Sequence, residues 1–312
     1  MIITSRHFHL EEIATGVWAA VVESGSAAMG NAAFVDLGSE VLVLDTFNLP
    51  EAAEDMRSAI ASLLGKPVRY VVNSHWHGDH IRGNQAFTGA TIIATDRTAA
   101  EMAKRHPERI RLQQQQLPQL AADIQRLRSE RTKEQHEQTV KELDSRLQFL
   151  TDIEQGLQQI ELKLPTLTFR GSMTIYGDKR TAMLLEFSGH TDSDIVIYLP
   201  EDRILLAADL VSHYNHPALG QGTAANWLDA LAECRKLGVD KVAPGHGPVG
   251  DASALVAMKA YLKDMQLLAA NLTTEDVAAG NWPAVPADYR EWKAAFLFTE
   301  NLRFLMQNNH KS

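Results

Sequence analysis

The stretch His75-Trp76-His77-Gly78-Asp79-His80 decides how this chain is read. It follows Val68–Val72, a largely apolar run with the pattern of a buried strand, and the pair Asn73-Ser74. Three of the chain's 12 histidines fall within these six positions, with an aspartate among them. Zinc takes about four ligands from imidazole nitrogen, carboxylate oxygen or thiolate. Residues two apart in an extended segment point the same way, so His75 and His77 can share one ion. Asp79 and His80 begin the next turn and can face a second ion beside it. Gly78 and Gly83 leave the backbone free to wrap closely around metal. The bland alternative is a loop that merely happens to be rich in histidine, and the aspartate at this spacing counts against it.

Two ions need more ligands than these four residues supply, so the motif makes a demand on the rest of the chain. Candidates belong at strand ends, ahead of loops. His190 lies in Ser188-Gly189-His190-Thr191, straight after a β-like run at 183–187. Asp209 closes Ala207-Ala208-Asp209 after the run at 204–206, and His246 lies in Pro244-Gly245-His246-Gly247-Pro248 after 241–243. Each alone reads as an ordinary loop residue. Together, in this order and context, they fit a dinuclear site.

Working outward, the N-terminal part alternates β patterns at 17–23, 32–37 and 41–45 with tight turns. A helix is expected over 51–64, with Met56, Ile60, Leu63 and Leu64 at helical spacing and Gly65 as its stop. A short strand follows at 91–94. Near Asp96 the composition shifts, and residues 97–160 lose nearly all aromatics and gain Gln, Glu, Arg and Lys. Leu117, Leu120, Ile124 and Leu127, then Val140, Leu143, Leu147, Leu150, Leu157 and Ile160, predict two long helices forming a hairpin that turns near 129–135. Its plain reading is a solvated insertion; its sharper readings are a lid or the seam of a homo-oligomer. Strand patterns resume at 162–169, 173–176, 183–187, 195–199 and 204–207. A helix at 226–237, a strand at 241–243 and helices at 252–270 and 287–306 follow. The plan is layered, αββα, rather than a doubly wound parallel sheet, whose strands and helices would alternate throughout. It divides into 1–96 with 161–250 as the main domain, 97–160 as an inserted helical hairpin, and 251–312 as a helical segment packed on that domain.

The bulk numbers exclude some functions. A net charge of −9 argues against a nucleic-acid partner, which needs clustered Lys and Arg. The single cysteine, Cys234, excludes an intrachain disulfide framework. The stretch from Met1 to Leu10 has no apolar core or small-residue cleavage site, and no apolar run would span a bilayer. The expectation is a cytoplasmic chain without a membrane partner, unless a leader has been removed.

These segments resemble the metallo-β-lactamase superfamily, over roughly residues 15–250 apart from the helical insertion. The resemblance implies a four-layer αββα sandwich of α/β (α+β) class with metals at the sheet edges. It implies that His75, His77 and His190 bind a first zinc, that Asp79, His80 and His246 bind a second, and that Asp209 bridges them. Asp45 matches a family aspartate that supports the site from behind the ligands. The departures concern substrate. Family β-lactamases with this run usually have Cys where Asp209 stands and Lys three residues later, where this chain has Ser212. A bridging aspartate is similar instead to the thioesterases, lactonases and phosphodiesterases of the superfamily.

The implied activity is that of a dinuclear zinc hydrolase, with hydroxide formed from water at neutral pH as nucleophile. Its small-molecule substrate is an ester, thioester, lactone, phosphodiester or β-lactam. Asp79 and Asp209 are the expected catalytic carboxylates. Trp76, His213, Tyr214, Asn215 and His216 are expected at the pocket rim, where loop groups facing solvent are an equal reading. The metal is open, since imidazole and carboxylate also suit iron and manganese. One rival is an iron enzyme similar to the persulfide dioxygenases, using His75, His190 and Asp209 alone. Another is a non-catalytic module that binds a partner through the hairpin.

Overall fold

A computed structural model of the chain describes residues 5–309, so Met1, Ile2, Ile3 and Thr4 of the stretch tested for a leader lie outside the described residues. The chain forms two compact units, Met1–Thr168 and Phe169–Ser312.

The first unit is built on a mixed sheet whose strand order follows the chain. Strands β1 (Phe8–Ala14), β2 (Val17–Val22), β3 (Ala32–Asp36) and β4 (Val41–Leu44) pair antiparallel through short turns. Helix α1 (Pro50–Leu64) then carries the chain to β5 (Val68–Val72), which lies parallel to β4. Pro50 starts α1 and Gly65 closes it; Ala52, Ala53, Met56, Ala59 and Ile60 form its buried stripe. Leu63, expected on that stripe, is exposed. The ligand loop leaves β5 and turns into the single-turn helix α2 (Gly78–Ile81), after which β6 (Thr91–Thr95) pairs parallel to β5. β1 was not expected, because His9, Glu11 and Glu12 mask the apolar side of Phe8-His9-Leu10-Glu11-Glu12-Ile13.

The inserted segment has one helix more than the pattern predicts. It comprises α3 (Asp96–Gln115), α4 (Leu117–Lys133) and α5 (Glu137–Gln159). Thr95 caps α3 by accepting from the Thr98 amide at 3.0 Å, and Pro118 restarts the chain as α4. α4 and α5 are the expected hairpin, with Arg131 bonded to Asp144 across its turn. α3 stands apart in burying Thr98, Met102, His106 and Ile110, each four residues after the last, along one face. The strand expected at 162–169 shrinks to β7 (Leu167–Phe169) at the end of the first sheet, because Pro165 has no amide for the ladder.

The second unit holds a sheet ordered β13-β12-β11-β10-β9-β8. These strands are β8 (Ser172–Tyr176), β9 (Thr181–Phe187), β10 (Asp194–Leu199), β11 (Ile204–Ser212), β12 (Lys241–His246) and β13 (Gly250–Asp251). All neighbours are antiparallel except β11 and β12, joined by α6 (Ala224–Lys236) as a crossover. α7 (Ser253–Ala270) and α9 (Phe296–Asn309) complete a core in which Trp227, Leu231, Tyr261, Leu262 and Leu302 are almost wholly buried; α8 (Thr274–Ala279) is a short surface turn of helix. The helix expected over 287–306 is interrupted. Ala287–Tyr289 is a single 3₁₀ turn, and Lys293 is drawn into backbone pairing with Tyr214 and His216 before α9 begins. Among the described residues, no helix is long and apolar enough to cross a membrane.

Candidate metal centre

In the first unit four candidate ligands leave the end of β5 in one loop. His75 is fully buried, His77 and Asp79 are half-buried, and His80 is fully buried at the end of the short α2 turn. Their rings crowd together, with centroids 4.6 Å apart for His75 and His77 and 4.4 Å for His75 and His80. Asp79 Oδ2 is 3.5 Å from His80 Nε2.

What holds these rings is a buried carboxylate. Asp45 accepts from the Ser74 amide at 2.8 Å, the Ser74 hydroxyl at 2.7 Å and His80 Nδ1 at 2.8 Å. Since the single Ser74 hydroxyl proton goes to Asp45, the His75 Nδ1–H donates to the Ser74 oxygen, 2.9 Å away. Both imidazoles therefore spend Nδ1–H on the scaffold and offer Nε2 as the ligand atom, the tautomer a metal needs. Burial pushes the Asp45 carboxyl up, while His80 and the Ser74 donors pull it back. The backbone of Gly30 seals the far side of His80: a Cβ there would stand 2.7 Å from the ring.

In the second unit the three candidates come from three strand ends. His190 is 2% exposed and follows β9, in a turn held by Asp194. Asp194 accepts from the Thr191 hydroxyl at 2.7 Å and the Thr191 amide at 3.0 Å. Burial pushes the Asp194 carboxyl up to about 7 against those hydrogen bonds. Asp209 lies within β11, where pairing with β12 loses register on both sides of Ala208, whose φ is +43°. That irregularity re-aims the strand end. His246 ends β12. Asp209 Oδ2 is 3.2 Å from His190 Nε2 and 3.3 Å from His246 Nε2, so one carboxylate oxygen reaches both imidazoles. Gly245 is required for this approach, since a Cβ there would lie 2.0 Å from Asp209 Oδ1.

The candidate ligands thus number four in the first unit, His75, His77, Asp79 and His80, and three in the second, His190, Asp209 and His246. The donors are imidazole and carboxylate only, largely buried, which is the chemistry of a transition-metal site.

The rim expectations fare unevenly. Tyr214 is 58% exposed with φ +52°, and its ring lies 4.3 Å from that of His213. His213 Nδ1 is 3.0 Å from the Pro248 carbonyl oxygen, and Asn215 bridges to Lys293. His216 is not at a rim: it is fully buried against Tyr261, Trp292 and Phe298, because its amide donates to Lys293 and draws the ring into the helical core. Trp76 is also buried, packed with Ile81 and Met102 under the Arg105 guanidinium. Sequence reasoning missed Ser74, Gly30, Asp194 and His106; only the neighbourhood of Ser74 to the motif offered a signal.

The model of the Metallo-beta-lactamase superfamily matches residues 25–246. Among curated proteins, a linear primary-alkylsulfatase from a Pseudomonas strain is 24% identical over 66% of this chain and 39% of its own length. A beta-lactamase-like protein 2 homolog of Caenorhabditis elegans is 22% identical over 71% of this chain and 57% of its own. The chain thus spans well under two thirds of these relatives. Among solved structures, a metallo-beta-lactamase from Pontibacter korlensis has a TM-score of 0.60 at 20% identity, covering 82% of this chain and 99% of that one. The metallo-beta-lactamase FIM-1 from Pseudomonas aeruginosa, in a mono-zinc form, has a TM-score of 0.58 at 16% identity, covering 83% of this chain and 96% of that one. At such identities the likeness shows the fold, with the α3–α5 insertion added. With 25–246 matched and the His/Asp ligand set intact, the chain belongs to the metallo-β-lactamase superfamily and is consistent with a metallo-hydrolase.

Proposed function

We propose that the chain is a dinuclear zinc-dependent hydrolase acting on a small molecule. The observation that carries this reading is the intact set of seven imidazoles and carboxylates, in which one Asp209 oxygen already reaches two imidazoles. His75, His77 and His190 would hold one ion, and Asp79, His80 and His246 the other. Asp209 would bridge them, because a single oxygen of its carboxylate reaches an imidazole of each set. Two bound zincs supply a water acidic enough to ionise near neutral pH and a Lewis acid for the substrate oxygen.

The chain's own residues do the rest. Asp45 and Ser74 hold His75 and His80 in the tautomer that presents Nε2. Asp79, half-buried with Oδ2 3.5 Å from the His80 ligand nitrogen, would also orient the attacking water by accepting its proton. The exposed ring of Tyr214 and the half-exposed His213 and Asn215 belong to the loop that meets substrate. Ester, thioester, lactone, phosphodiester and β-lactam are the substrate classes; the alkylsulfatase relative adds a sulfate ester to them.

Elemental analysis of the purified chain tests the proposal. About two zincs per chain are expected, and hydrolysis of at least one of these classes should vanish with chelation and return with zinc. One iron or manganese per chain, or no metal after zinc is offered, would overturn it.

A further inference from the structure

We propose that α3 is a positioning element for the ligand loop, with His106 setting the direction of His77 by holding the Trp76 carbonyl. The inference rests on the metal-centre reading and extends it to a residue outside the motif. Trp76 stands between two ligands, so the orientation of its peptide decides how His77 leaves the chain. His106 Nε2 lies 2.6 Å from the Trp76 carbonyl oxygen, and the imidazole is fully buried. A carbonyl only accepts, so Nε2 carries the proton and donates. The ring stays neutral near pH 7, as burial pushes it down to about 4.

Three further contacts fasten the same helix face to the same loop. Met102 packs in an apolar cluster with Trp76 and Ile81. The Arg105 guanidinium lies 4.6 Å over the Trp76 ring. Gln113, two turns beyond His106, accepts from Arg82 Nη2 at 2.5 Å. Arg82 in turn bonds the Asn48 side chain at 3.1 Å and packs so tightly on Gly78 that a Cβ there would lie 2.8 Å from Nε. The three anchors are thus of two kinds. His75 and His80 are held at Nδ1 by side chains, whereas His77 is steadied through the backbone from α3. Ligand geometry held from outside the coordination sphere governs metal affinity by about 10- to 100-fold.

The test is zinc affinity of the full chain, read by competition with a chromophoric chelator. A glutamine amide reaches about where His Nε2 stands, while an asparagine amide reaches only to Nδ1. His106→Gln should therefore keep the parent affinity, while His106→Asn and His106→Ala weaken one of the bound ions by about 10- to 100-fold. Ile124→Ala, in the buried seam of α4, should lower the melting temperature and leave affinity alone. The Asn and Gln variants decide the matter even where the Ala variant fails to fold. Equal affinity of His106→Asn and His106→Gln would overturn the proposal, as would an Ile124→Ala loss as large as that of His106→Asn. A parent chain that takes up no zinc would instead bring down the metal-centre reading beneath it.

Discussion

The two units furnish ligands by opposite devices. In the first, four candidate ligands sit in one loop and are held by other side chains: Asp45 bonds Ser74 and His80, and Ser74 in turn holds His75. In the second, three candidates come from three separate strand ends: Asp194 holds the turn that carries His190, and close backbone approach places Asp209. Asp209 occupies the space a Cβ on Gly245 would fill, and the bent β11 ladder around Ala208 aims it there. A contiguous loop can be fixed by local hydrogen bonds. Residues gathered from distant strands depend on the register of the sheet and on close backbone approach.

That contrast breaks most readily in the second unit. Gly245→Ala would set a methyl group 2.0 Å from Asp209 Oδ1 and 2.6 Å from the Ala208 carbonyl carbon. Backbone atoms yield little, so the variant should lose about 1–3 kcal/mol of stability and displace Asp209. Metal content should fall by at least one ion per chain, since Asp209 reaches both His190 and His246. Unchanged metal content on elemental analysis would mean that the glycine does not gate the carboxylate.

The first unit should give way more gradually. Asp45 has φ +61°, a conformation that asparagine tolerates, so Asp45→Asn changes chemistry rather than backbone. The amide keeps one acceptor and turns a donor towards groups that already donate. Zinc affinity should drop by about 10- to 100-fold and stability by roughly 2 kcal/mol, with the fold retained. Full affinity in a chelator competition would show that the loop positions His75 and His80 without its buried carboxylate.

The same contrast explains what could be read from the chain alone. The six-residue motif is legible because ligand spacing in an extended segment is a local property. His190, Asp209 and His246 were legible only as a demand of that motif, checked against strand ends. Asp45 came from resemblance. His106 and Gly30 left no trace, since their effect lies in tertiary contact with residues 30 and 50 positions away. For the same reason closeness to Asp209 in sequence misleads for His216, expected at the rim: the pairing of 214–216 with Lys293 buries it. The break of 287–306 follows from that pairing too, a non-local interaction overriding helical periodicity.

The smallest expected effect concerns His216, buried in the second unit's helical core. Tyr261 accepts from the Asn301 amide at 3.2 Å, so its hydroxyl proton goes to His216 Nδ1 at 2.9 Å. Protonating His216 would replace that acceptor with a second donor inside an aromatic cluster of Tyr261, Trp292 and Phe298, near the Tyr289–Asp264 bond. Burial accordingly lowers the His216 pKa. The unfolded chain then binds the proton more readily than the folded one, so stability is intact above a pH of about 6.5 and is lost as pH falls below it. His216→Asn places an oxygen where Nδ1 accepts and has nothing to titrate. Its melting temperature, followed in the chelated protein from neutral to acid pH, should fall less steeply than the parent's. Some slope should remain from His106, which burial depresses in the first unit. If His216→Asn and the parent fall in parallel, the buried imidazole of the second unit carries no part of the acid sensitivity.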